Sequence, residues 1–170
     1  MKNKFITNLF FIQHKMAAAR LRGIHFENQI QTILNRTRLK VYREAEVTRM
    51  YGSNITAVDH MLKIDGKLLI CIQDKYQEKN ISIQQTTHFI YSVNTISRIS
   101  KMPCIGIYLT KSRLSGPSME AFIKENKNNN KNRFVEISGE TFDILSTKLS
   151  KYLHTQNIFM YDSEGDCFMQ

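Results

Sequence analysis

Apolar residues recur along this chain with two different periods, and the switches between them mark its elements. In HFENQIQTILNR, Phe26, Ile30, Ile33 and Leu34 stand at i, i+4, i+7 and i+8. That is one stripe of a 3.6-residue period and predicts a helix over 24 to 36. Upstream, residues 5 to 22 predict one or two helical turns followed by the basic stretch KMAAARLR. The alternation in KVYREAEVT, residues 40 to 48, predicts a short strand, with a turn at Gly52, Ser53 and Asn54. TAVDHMLKI and KLLICIQDKY are two strand-like runs on either side of Asp65-Gly66, a short-range hairpin signal.

Ser82, with Gln85 three residues later, has the pattern of a capping box. It opens a predicted helix with apolar positions at Ile83, Phe89, Ile90, Val93 and Ile96. MPCIGIYLT is a continuous apolar run bounded by Pro103 and reads as a buried strand. SGPSMEAFIKEN predicts a helix with Pro117 at its first position and an apolar face of Met119, Phe122 and Ile123. Residues 124 to 133, rich in Asn and Lys, predict a solvated, mobile loop. RFVEI follows as a strand, and TFDILSTKLSKYL as a helix with Phe142, Leu145, Leu149 and Tyr152 on one side. The order is helix, three strands with a central hairpin, helix, strand, helix, strand, helix. It predicts an α/β domain over 23–153, built on a mixed central β-sheet flanked by α-helices. Residues 1–22 form a helical extension in this reading, and 154–170 a tail without clear period.

Composition narrows the class of partner. A chain of 170 residues suits one domain with a sizeable core. Its 24 Lys+Arg against 15 Asp+Glu leave a net charge of +9, which favours polyanions because each neutralised phosphate releases condensed counterions. Cys71, Cys104 and Cys167 are odd in number and have no CxxC spacing. That argues against a disulfide scaffold or structural zinc and fits a reducing, intracellular compartment (cytoplasm, nucleoid or nucleus). FITNLFFI near the N-terminus imitates a secretion signal, but Asn8, Gln13, His14 and Lys15 interrupt it, so an amphipathic helix is expected there. No segment approaches the ~20 apolar residues of a bilayer span, and no membrane partner is expected.

The hairpin carries the candidate chemistry. Asp59 sits early on its first strand, and Gln73-Asp74-Lys75 ends its second. Side chains alternate along a strand, so Gln73 and Lys75 share one face and Asp74 takes the other. Whether Asp59 joins Gln73 depends on the turn. A two-residue loop pairs Ile64 with Lys67 and sets Asp59 opposite Ile72, on the wrong face. A three-residue loop, Ile64-Asp65-Gly66, pairs Lys63 with Lys67 and sets Asp59 opposite Cys71, diagonal to Gln73. The three-residue loop, or an equivalent bulge, is the expectation. Asp59, the Gln73 amide oxygen and the Asp74 backbone carbonyl then form an oxygen-ligand set of the kind Mg²⁺ or Mn²⁺ takes, and Lys75 can orient a water and steady developing charge.

Asp59, about fourteen residues, then Gln73-x-Lys75 on an apolar strand resembles the D…QxK form of the PD-(D/E)XK motif in Mrr-like nucleases. The similarity runs from about Gly23 to Leu149 and includes GIHFENQIQTIL, GSNITAVDHML, IQDKYQEKNIS, IGIYLTKSRLSGPSMEAFIKE and FVEISGETFDIL. The resemblance implies a restriction endonuclease-like core and a Mg²⁺- or Mn²⁺-dependent endodeoxyribonuclease. Its substrate would be DNA, including branched DNA of the Holliday-junction type, and its expected state a homodimer. It also implies a supporting role for Glu27, which matches the family's leading-helix glutamate. Gln73 stands where a carboxylate is usual, so a catalytically inactive DNA-binding or assembly module is the alternative. Gln84, Lys111 and Arg113 are candidate nucleic-acid contacts, reading backbone and shape more than base sequence. His25, His60 and His88 lack i, i+4 ligand spacing and read as structural or surface residues. Asp162, Glu164 and Asp166 lack the closing Glu of a calcium loop, and no calcium site is expected there.

Overall fold

The computed structural model describes residues 2–162, 164, 166 and 167, with side chains from Met16 onward. A five-stranded mixed sheet in the order β1-β2-β3-β4-β5 forms its centre. The strands are β1 (Val41–Arg43), β2 (His60–Ile64), β3 (Leu68–Lys75), β4 (Cys104–Thr110) and β5 (Arg133–Ser138). The first three are antiparallel neighbours, and β3, β4 and β5 run parallel. The helices are α1 (Lys2–Asn35), α2 (Glu44–Tyr51), α3 (Ile83–Ser100), α4 (Gly116–Asn128) and α5 (Phe142–Thr155). The expected α/β architecture with a mixed, helix-flanked sheet is therefore present. Among the described residues no helix is long and apolar enough to cross a membrane.

Strand alternation sorts the core into two layers. Leu62, Ile70, Ile72, Ile107 and Leu109 face α1 and α5, meeting Phe26, Ile30, Leu34, Leu145, Leu149 and Leu153. Met61, Leu69, Cys71 and Tyr108 face the other side, where Val47 of α2, Phe89, Val93 and Ile96 of α3 and Phe122 of α4 cover them. Gly106 sits under this second layer because a Cβ there would lie 2.8 Å from Phe134. The capping box opens α3 as its pattern predicts, with Ser82 Oγ accepting from the Gln85 N–H and Gln85 Oε1 accepting from the Ser82 N–H.

Several expectations are corrected. The strand predicted over 40 to 48 stops at Arg43, and the chain turns into α2. Glu46 accepts the Arg43 N–H at 3.1 Å, and Glu44 and Glu46 place negative charge in the first helical turn. The helical period then buries Val47. α1 is one continuous helix from Lys2 to Asn35, in place of the separate helical turns and the helix over 24 to 36. The face expected on α4 narrows to Phe122, since Met119 and Ile123 are exposed. Residues 158 to 161 pack on the core: Ile158 and Met160 join the α1–α5 layer, and the Tyr161 N–H donates to the Arg36 carbonyl. Asp162 accepts the N–H groups of Glu164 and Asp166 in a local turn.

The Asn-rich run departs most from expectation. Residues 124 to 128 complete α4, and Asn126, Asn129 and Asn132 are fasteners. Asn126 donates to the Phe134 carbonyl and accepts the Phe134 N–H, so its amide caps the free edge of β5 as another strand would. Asn132 is buried, accepts the Cys104 N–H at 3.0 Å and donates to Asn94 at 2.8 Å. Composition marks such a segment as solvated, but an amide side chain mimics the backbone wherever the fold leaves a strand end unpaired. Asn132→Ala should therefore destabilise the protein by about 1–3 kcal/mol in urea unfolding, because the Cys104 N–H stays buried without an acceptor. Exposed Asn130→Ala should stay within about 0.5 kcal/mol of the parent.

Candidate active site

The hairpin turn decides what Asp59 meets. Asp65 and Gly66 both adopt positive φ, and the Lys67 N–H closes the turn on the Ile64 carbonyl at 2.8 Å. Ile64 pairs with Leu68, leaving a three-residue loop of Asp65-Gly66-Lys67. The loop length is the expected one, but its residues are shifted by one from Ile64-Asp65-Gly66. The ladder pairs His60 with Ile72, and the next step outward sets Asp59 beside Gln73. Asp59 lies just before β2, not within it. Its N–H donates to Ile72, and its carbonyl accepts from Glu44 at the start of α2. Asp59 and Gln73 thus share one face and stand opposite each other, closer than the diagonal arrangement expected.

The Asp59 carboxylate accepts a hydrogen bond from Gln73 Nε2 and another, at 2.8 Å, from the Asp74 N–H. Burial, and then the charge of Asp74, push its carboxyl up to about 7, against the opposing pull of Lys75. The ammonium of Lys75, half-buried at the end of β3, makes no hydrogen bond or ion pair to a described residue. On the neighbouring strand Tyr108 pairs with Gln73. Burial and the charges of Asp59 and Asp74 hold its phenol well above the usual range. Tyr108 lies within a uniform apolar run, and only the parallel register brings it to this site.

The other predicted residues are placed unequally. Asp74 directs its carboxylate to the opposite face, as alternation requires, and only its backbone stands with the trio. Lys111 follows β4, and its N–H donates to the Lys75 carbonyl, while its ammonium bonds Glu78 at 2.7 Å and lies over the Tyr76 ring. Arg113 is exposed, and its carbonyl accepts from Ile81 just ahead of α3. Gln84 is exposed on the first turn of α3. Glu27 is half-buried on α1, whose buried stripe packs on the opposite sheet face, and it makes no hydrogen bond to a described residue. The structure thus unites Asp59, Gln73 and Lys75, sets Lys111 beside them through the backbone, and brings the α1 stretch that carries Glu27 to the end of β3, where Phe26 packs 5.2 Å from the Tyr76 ring.

His60, which the sequence marks as structural or surface, is structural. It is fully buried behind the trio, with Nε2 2.9 Å from Asp74 Oδ2 and Nδ1 3.1 Å from Gln31 Oε1. The Gln31 amide is oriented by Arg43, a pure donor, which bonds the same Oε1 at 3.1 Å. His60 Nδ1 therefore donates to Gln31, and the bond to Asp74 carries a proton on either the imidazole or the carboxyl. The spacing of fourteen between His60 and Asp74, each next to a candidate ligand, is the signal that could have revealed the pair. His25 is exposed, and exposed His88 approaches Thr56 at 3.4 Å.

The donor set fits a hard divalent cation. It comprises one half-buried carboxylate, an amide whose oxygen would face it if the amide turned over, and a backbone carbonyl. No group of three His, Cys, Asp or Glu side chains that could hold a metal occurs among the described residues, so any ion here would keep much of its water.

No protein-family model matches the chain, and no curated protein does. Among solved structures, the crystal structure of AF1548, a protein of unknown function, is similar with a TM-score of 0.44 at 8% identity. The alignment covers 77% of this chain and 65% of that one.

The raised Asp59 carboxyl makes a test without any ligand. Between about pH 4 and pH 7 the folded protein keeps a proton that the unfolded chain releases, so this group's contribution to stability falls as pH rises through that window. Asp59→Asn should match the parent near pH 4 and exceed its stability at pH 8 by up to about 4 kcal/mol, read by chemical denaturation in EDTA.

Proposed function

We propose that this chain is a divalent-metal-dependent endonuclease of restriction endonuclease-like fold that hydrolyses DNA phosphodiesters. The observation that carries the reading is the convergence of Asp59, Gln73 and Lys75 on one face of the hairpin, at the end of the sheet where α3 and α4 begin. Asp59, the Gln73 amide oxygen and the Asp74 carbonyl would hold Mg²⁺ or Mn²⁺. When bound, such an ion supplies Lewis acidity toward a phosphoryl oxygen and acidifies a coordinated water. The Lys75 ammonium, with no hydrogen bond or ion pair to a described residue, would orient a water and meet negative charge as it develops. Lys111 and Arg113, on the loop after β4 whose first N–H bonds the Lys75 carbonyl, would contact the DNA backbone. Glu27 would support the site from α1, next to Phe26, which packs on the Tyr76 ring just beyond Lys75. A homodimer would match the two strands of a duplex.

One observation favours a second reading, an inactive DNA-binding or assembly module. The Gln73 amide hydrogens already satisfy the Asp59 carboxylate, in the position a cation would take.

Cleavage of linear, nicked and branched DNA separates the two. The enzyme reading expects strand scission with Mn²⁺ or Mg²⁺, none in EDTA, and a loss of at least about 100-fold in Asp59→Ala and Lys75→Ala. Because Asp59 must lose its proton to bind an ion, activity should rise from pH 6 to pH 8. DNA binding without scission, unchanged in Asp59→Ala, would establish the module instead.

A further inference from the structure

The polar chain behind the sheet has no evident reason to exist for stability alone. His60 and Asp74 are buried among Leu62, Ile70 and Ile72, where apolar side chains would pack without desolvating charge. They are instead joined to each other and anchored through Gln31 to α1 and Arg43. Both ends of the pair lie next to the candidate ion ligands. His60 follows Asp59 directly. Asp74 gives its N–H to Asp59 on one side of the sheet and its carboxylate to His60 on the other. With its side chain held at 2.9 Å by His60, the Asp74 residue cannot swing about the strand axis without breaking a buried bond. Its N–H therefore stays aimed at Asp59, and its carbonyl stays in place as a third oxygen.

We infer that His60, backed by Gln31, is a positioning residue for the ion site, holding Asp74 so that Asp59 and the Asp74 carbonyl keep ligand geometry. The inference rests on the metal-site reading above. His60 touches neither ion nor substrate, and its effect passes through the Asp74 backbone. Groups of this kind commonly change ion affinity by 10- to 100-fold when lost.

The test is Mn²⁺ affinity, read by titration calorimetry and by electron paramagnetic resonance of free Mn²⁺, with thermal stability recorded alongside. His60→Leu should bind Mn²⁺ about 10- to 100-fold more weakly. Gln31→Leu, which disturbs only the far end of the chain, should weaken it about 3- to 10-fold and decides the matter if His60→Leu does not fold. Gln31→Glu should restore binding to within about 2-fold, because a carboxylate accepts from both His60 Nδ1 and Arg43. Asn28→Ala removes a different Arg43 contact at the α1–β1 junction and should leave affinity unchanged. Parental affinity in His60→Leu, or equal losses in Asn28→Ala and Gln31→Leu, would overturn the positioning role while Asp59→Ala still abolished binding. A parent protein that binds no Mn²⁺ would reject the metal site and this inference with it.

Discussion

The site depends on the parity of one β-hairpin. Side chains on β2 and β3 alternate, so sliding the pairing by a single residue would turn Asp59 to the face of Asp74 and separate it from Gln73. Two features hold the register. The Asp65-Gly66 turn uses two positive φ values and forces a three-residue loop. Leu62, Ile70 and Ile72 on one face, and Met61, Leu69 and Cys71 on the other, are all buried, so a slip would exchange two complete apolar layers. Each such side chain contributes about 1.5–3 kcal/mol of burial, and their sum far exceeds any preference of the polar residues at the strand ends. The polar groups are thus carried to their positions by the apolar ones.

That geometry produces two polar clusters back to back. Asp59, Gln73, Lys75 and Tyr108 occupy the α3 side, and Asp74, His60 and Gln31 the α1 side, with the Asp74 peptide common to both. A carboxylate at Asp59 is costly in this setting, because burial and the charge of Asp74 disfavour it and the Lys75 ammonium compensates only in part. A divalent cation would relieve that imbalance and displace the Gln73 amide hydrogens. Strongly perturbed groups concentrate where chemistry is done, and here the perturbation coincides with a convergence of Asp59, Gln73 and Lys75 at the end of the parallel strands.

The remainder of the fold braces this arrangement. The capping box on Ser82 starts α3 close behind β3, and Ser118 and Ser115 tie the start of α4 to the Ile81 backbone. At the opposite end of the sheet, Asn126 and Asn132 close the edge of β5 and the entry to β4. These amide contacts let a polar segment of low hydrophobicity belong to the packed structure.

The sequence alone determined the features that depend on local period and turn chemistry. The helical stripe from Phe26 to Leu34, the α3 capping box, the buried run of β4, the presence of a turn at Asp65-Gly66 and the alternation that pairs Gln73 with Lys75 all follow from neighbours a few residues apart. Only the tertiary structure decided which distant groups meet. Tyr108 reaches Gln73 through parallel pairing, His60 and Gln31 join Asp74 across two layers, and Asn132 finds the Cys104 N–H from beyond α4. The α2 segment alternates like a strand and folds as a helix, because its first-turn carboxylates and the burial of Val47 outweigh a weak β pattern. Pairings of this sort depend on which backbone groups the assembled sheet leaves unsatisfied, and no single segment contains that information.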